Sequence, residues 1–154
     1  MVTDVATLYE ILGDVVDPEI PVLTIADLGI LREVVEEPDG SVVVTITPTY
    51  SGCPAMDHLR DEVKRVLRDH GHDRVEVVTT FRPAWTTDWM TPEGKAKLAE
   101  YGIAAPRADA AEAILCPRCR AENSRLVSEF GATACKALRV CADCGEPFDH
   151  FKEI

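Results

Sequence analysis

Chemistry in this chain of 154 residues is concentrated in six cysteines, four of which form two pairs: Cys116-Pro-Arg-Cys119 and, after 21 intervening residues, Cys141-Ala-Asp-Cys144. Each Cys-x-x-Cys knuckle offers two thiolates on one tight turn, and two knuckles complete a tetrahedron, so the spacing is that of a zinc ribbon. Rubredoxin-type iron uses an overlapping spacing, and spacing alone does not choose between the metals. No His or carboxylate replaces a thiolate, so Cys116, Cys119, Cys141 and Cys144 make a closed, structural site rather than a hydrolytic one. A module of under about 40 residues needs such a metal to fold.

The fifth cysteine stands in Ser51-Gly52-Cys53-Pro54. Proline suits the first helical position, which puts Cys53 at the cap, where free backbone donors and the helix dipole favour a thiolate. The competing reading is a small cysteine tolerated at a helix start. Asp57 and His58, one turn on, either tune the thiol or lie on the helix surface, and we read both as surface. Cys135, between the knuckles, is surplus to the ribbon: it sits in a ribbon strand or supplies a second soft ligand. Trp85 and Trp89 either plug a core or form a docking surface. Their proline-flanked segment fits no periodic pattern, so it is expected to be exposed. His70, His72 and His150 lie among polar residues without ligand spacing and are read as surface.

These residues need elements to position them. Val5, Leu8, Ile11 and Leu12 share a helical face over 4–13, with Thr3 or Asp4 as cap and Gly13 as stop. Asp17-Pro18-Glu19-Ile20-Pro21 must be extended loop. Val- and Ile-rich runs at 29–36 and 41–47, joined by Pro38-Asp39-Gly40, predict a hairpin. Met56, Leu59, Val63, Val66 and Leu67 predict a helix over 54–70, and 74–80 a third strand. Helix, strand, strand, helix, strand is a two-layer α/β domain in which helices cover a small mixed sheet. A short helix at 92–101 opens on Pro92. We divide the chain into an α/β domain at 1–102, an Ala/Pro-rich linker at 103–114 and a small β zinc ribbon at 115–154.

Composition bounds the function. The chain carries 16 basic and 27 acidic residues, a net charge of −11, and 46% hydrophobic residues, enough for a packed core. The excess of acid is confined to residues 1–115, where 10 Lys and Arg face 21 Asp and Glu. Such a surface repels phosphate backbones, so nucleic acid is not an expected partner. Neither a signal-peptide pattern nor a membrane-length apolar run is present, which implies a cytoplasmic protein without a membrane partner. Reduced cysteines are then metal ligands or reactive thiols rather than disulfides.

Asp17-Pro18-Glu19-Ile20-Pro21, Asp27-Leu28-Gly29-Ile30 and Thr49-Tyr50-Ser51-Gly52-Cys53-Pro54 together resemble the MIP18 family, also called DUF59, whose members are associated with iron-sulfur cluster assembly. Further motifs resemble the PaaD-type accessory proteins of the phenylacetyl-CoA ring epoxidase: Pro83-Ala84-Trp85-Thr86-Thr87-Asp88-Trp89-Met90, the two knuckles, Phe130-Gly131-Ala132-Thr133-Ala134-Cys135-Lys136 and Pro147-Phe148-Asp149-His150-Phe151-Lys152. The resemblance implies a non-catalytic factor of aerobic phenylacetate catabolism that transiently holds an iron-sulfur cluster, or iron, and delivers it to the reductase or oxygenase. It also implies that Cys53 is the reactive family cysteine, with Asp17, Glu19 and Thr49 in the same pocket. The chain has neither the paired Glu-x-x-His motifs of a diiron bundle nor the Gly-rich turn of a dinucleotide-binding reductase. A permanent structural subunit of the epoxidase is the alternative, and a thiol enzyme would need a base and an orienting group beyond His58. Cys53 and Cys135 are fewer than the four thiolates that ordinarily hold a cluster, so a homodimer or a small thiol would complete the set.

Overall fold

The computed structural model describes residues 4–50, 53–109 and 111–154, so Thr3 as a cap and the Ser51-Gly52 step before Cys53 lie outside the described residues. The chain divides into two compact units, Met1–Trp85 and Thr86–Ile154.

In the first unit, helix α1 (Val5–Leu12) starts at Asp4 and buries Leu8 and Leu12. Val5, expected on that face, is exposed. The Tyr9 hydroxyl accepts the Val34 N–H at 3.2 Å and so ties α1 to strand β1 (Leu31–Glu36). The Pro-rich loop holds its shape through Asp17, whose carboxylate accepts the N–H groups of Glu19 and Ile20 at 2.7 and 3.0 Å. A one-turn helix α2 (Ile25–Leu28) follows. Its capping box, in which Thr24 and Asp27 satisfy each other's backbone N–H, makes so short a helix possible, and Gly29 ends it at a φ of 75°.

Strands β1 and β2 (Val42–Ile46) pair antiparallel as the expected hairpin. Helix α3 (Ala55–Asp69) then crosses over so that β3 (Val75–Thr79) pairs parallel to β2, in the order β1-β2-β3. This is the expected mixed sheet. Alternation decides the layers: Val34, Val42, Val44 and Ile46 are buried, and Ala55, Met56, Leu59, Val63 and Leu67 of α3 are buried with them. Trp85 closes this unit. It is only 3% exposed, and its indole N–H donates to the Leu28 carbonyl at 2.7 Å. The expectation of an exposed tryptophan segment is therefore wrong for Trp85, because the absence of periodicity concealed a single long-range plug. Trp89 is half-buried.

The second unit begins with a single 3-10 turn (Thr87–Trp89) and helix α4 (Pro92–Tyr101). Thr91 caps α4 by accepting the Gly94 N–H at 3.0 Å, and Pro92 fills its first turn. Helix α4 thus falls in the same unit as the ribbon rather than within a domain ending at 102. Ile103 and Ala104, expected in a linker, form strand β4, buried and paired parallel to β7 (Pro147–Phe151). With β5 (Ser124–Ser128) and β6 (Lys136–Cys141), the sheet order is β4-β7-β6-β5. Its small core joins Ala104, Cys116, Cys141 and Phe148. Among the described residues no helix is long and apolar enough to cross a membrane.

Candidate metal centre and cysteine site

The two knuckles repeat one backbone design. Cys116 N–H donates to the Ala121 carbonyl and Arg120 N–H donates back to the Cys116 carbonyl, each at 2.9 Å. Cys141 N–H to Glu146 and Gly145 N–H to Cys141 reproduce both bonds at 2.9 Å. The turn needs a left-handed residue just after the second cysteine, supplied by Gly145 at a φ of 76° and by Arg120 at 67°. An Arg118–Glu146 ion pair at 2.8 Å joins the knuckles.

This geometry brings the four sulfurs of Cys116, Cys119, Cys141 and Cys144 within 4.8 Å of one another. The Cys116–Cys144 and Cys119–Cys141 separations are 3.7 and 3.6 Å. A tetrahedron with metal–sulfur bonds of ~2.3 Å has edges of about 3.8 Å, so the thiols fit a tetrahedral ion. Cys116 and Cys141 are buried, whereas Cys119 and Cys144 are exposed. Burial pushes the Cys116 thiol up, but the N–H groups of Cys119 and Arg118 and the thiol of Cys144 outweigh it and bring it down to about 7. At Cys119, exposed though it is, the Ala121 N–H favours the thiolate, yet desolvation and the thiols of Cys141, Cys144 and Cys116 together push it up to about 12. Thiolates so close repel one another, and a cation relieves that repulsion.

Cys53 lies in the first unit, one residue before Pro54, which caps α3; the helix proper begins at Ala55. The cysteine is therefore a step further out than expected, while its carbonyl still accepts the Met56 N–H at 3.2 Å. It is half-buried. Its thiol is pushed up, first by burial and then by the charges of Glu19 and Asp17, against the opposing Ala55 N–H and Tyr50 hydroxyl. The expected thiolate-rich cysteine is corrected: desolvation and two carboxylates outweigh the helix start. Glu19 and Asp17 both act electrostatically on Cys53. Thr49 is half-buried in the segment leading to it. Two residues back in chain order from Thr49 is Thr47, which carries no motif, and its buried hydroxyl has no hydrogen-bond partner among the described residues. A threonine just past a strand end gives no sequence signal for that.

Cys135 is buried, with its sulfur 3.0 Å from the Thr133 hydroxyl. His58, His70 and His72 are not among the buried residues, in line with expectation, but His150 is 4% exposed. Its Nε2 meets the Glu153 carboxylate at 2.8 Å, and the same carboxylate binds Arg107. The surface reading of His150 fails because alternation along β7 turns it inward.

One unit presents a cysteine beside carboxylates, and the other a β-ribbon that brings four cysteines together. Residues 6–79 match the family described as iron-sulfur cluster assembly protein, and residues 104–152 the one described as PaaD zinc beta ribbon domain. A protein of Escherichia coli (strain K12), provisionally named as a component of 1,2-phenylacetyl-CoA epoxidase, is 49% identical over 152 residues, covering 96% of this chain and 92% of that one. The chain belongs to the PaaD family, with an N-terminal DUF59/MIP18 domain. An Fe-S protein maturation auxiliary factor of Porphyromonas gingivalis is 38% identical over 92 residues, 59% of this chain and 87% of that protein. The crystal structure of a DUF59 domain from Bacillus anthracis aligns with a TM-score of 0.57 and 30% identity, covering 61% of this chain and 90% of that one.

Proposed function

We propose that the chain is a cytoplasmic, non-catalytic maturation factor that accepts an iron-sulfur cluster, or iron, at Cys53 and delivers it to the reductase or oxygenase of a phenylacetyl-CoA ring epoxidase. The observation that carries this reading is the half-buried Cys53 beside Asp17 and Glu19 in a domain of the iron-sulfur assembly type. Burial, helped by the two carboxylates, favours the protonated thiol, and the same carboxylates would stabilise a cationic iron as the proton leaves, so the ligand forms on demand. Cys135 is buried with its sulfur against the Thr133 hydroxyl, so the remaining ligands would come from a second copy's Cys53 or a small thiol. An incomplete set also eases transfer. In the ribbon, Cys116, Cys119, Cys141 and Cys144 would hold one zinc, which supplies folding energy and no reaction chemistry.

Anaerobic reconstitution with iron and sulfide tests the reading. Wild type should develop cluster absorption and restore activity to an epoxidase made without this protein. Cys53→Ser should keep fold and zinc and lose both. The provisional name of the Escherichia coli relative favours a second reading, a permanent epoxidase subunit. Co-purification at fixed stoichiometry, with Cys53→Ser fully active, would select it.

A further inference from the structure

In the second unit a cavity of about 300 Å³ lies between α4 and the segment entering the first knuckle. Ligand sites run from ~300 to 1,000 Å³, so it has room for one ring-sized body and not for a nucleotide. Its walls are mostly small and apolar, with Ala99, Ala104, Ala105, Pro106, Leu115 and Pro117 among them. Its charged residues are Lys95, Arg107 and Arg120 against the single acid Glu112.

The charges are not equivalent. Arg107 is already neutralised: its Nε donates to Glu153 at 3.0 Å, its backbone N–H to the same carboxylate at 3.1 Å, and Nη1 to the Glu112 carbonyl at 3.1 Å. It is a fixed wall. Lys95 and Arg120 form no ion pair among the described residues. Setting Glu112 against them leaves a surplus of one positive charge, in a chain whose net charge is −11. An isolated positive surplus in so acidic a protein favours a monoanion over a phosphate dianion, and apolar walls favour an anion with an apolar body.

We propose that this cavity binds a small monocarboxylate with a ring or branched hydrocarbon body, its carboxylate on Lys95 and Arg120 and its body against Ala99, Ala105 and Leu115. None of the six cysteines lines the cavity, and the proposal does not depend on the delivery role. Arg107, already paired, positions the wall rather than the ligand.

Phenylacetate serves as probe, with neutral 2-phenylethanol and inorganic phosphate as comparisons, in calorimetry and saturation-transfer NMR on the full metal-loaded chain. Saturable phenylacetate binding is expected, weaker by tenfold or more in Lys95→Gln/Arg120→Gln and unchanged in Lys64→Gln on α3. Ala99→Leu should fill the cavity and abolish binding; Ala105→Leu fills it from the other wall should the first variant lose its fold by circular dichroism. No saturable binding at millimolar phenylacetate would overturn the proposal. So would full retention in a folded cavity-filling variant, or phosphate binding with the organic carboxylate excluded.

Discussion

Cys53 shows how one atom's surroundings reverse a local rule. A helix start favours a thiolate, and the Ala55 N–H does so here, yet burial and the carboxylates of Glu19 and Asp17 push the thiol up. Iodoacetamide should therefore alkylate Cys53 more slowly at pH 7 than it does the same cysteine in the urea-unfolded chain, with the rate still climbing above the ordinary thiol range of about 8.5. Glu19→Gln should speed the reaction at neutral pH; an unchanged rate would remove that carboxylate from the site. Trp85 is the second residue whose role turns on burial. Truncating a fully buried tryptophan costs about 3–5 kcal/mol, and here it also strands the Leu28 carbonyl. Trp85→Ala should lower the denaturation midpoint of the first unit by a corresponding amount, while Trp89→Ala, half-buried, costs less. Equal effects in urea titrations would refute the distinction.

At the level of elements, legibility followed the range of the interactions. Helix α3 and the β1–β2 hairpin could be read because their apolar spacing and the Pro38-Asp39-Gly40 turn are local signals. The knuckles could be read for the same reason. Helix α2 could not, since one turn is too short for a period and rests on the Thr24/Asp27 capping box. Strand β4, two residues inside an Ala/Pro-rich stretch, exists only because β7 pairs with it. His150, on β7, carries a pH signature of that pairing. Burial lowers its pKa despite the opposing pull of Glu153, with Arg107 and Arg139 adding to the lowering. A histidine with a depressed folded value contributes stability above its ordinary range of about 6.5 and loses it as pH falls through the folded value. Metal-loaded protein should therefore become easier to unfold on acidification from pH 7 through 6, and His150→Gln should flatten that part of the profile. A profile identical to wild type would exclude the histidine as its source.

For the whole molecule, the division between Trp85 and Thr86 means that each unit carries its own core and its own chemistry. A structural zinc contributes on the order of 10–16 kcal/mol to a small metal module, more than a sheet of this size gains from packing alone. Cys141→Ser should therefore release about one zinc per chain and expose β5–β7 to proteolysis, while the helical signal of α1 and α3 persists. Loss of the whole far-ultraviolet signal would show one cooperative molecule instead. The sheet order β4-β7-β6-β5 bears also on synthesis. Strand β7 is made last of the four, yet it is an interior strand on which both β4 and β6 depend. The first unit, whose strands are complete at Thr79, is free to collapse while translation continues. The second waits. At about 5–20 residues per second, Cys116 and Cys119 emerge seconds before the scaffold that will fix them. The nascent ribbon thus passes through an interval with paired, unshielded thiols, open to solvent before Cys141 and Cys144 join them.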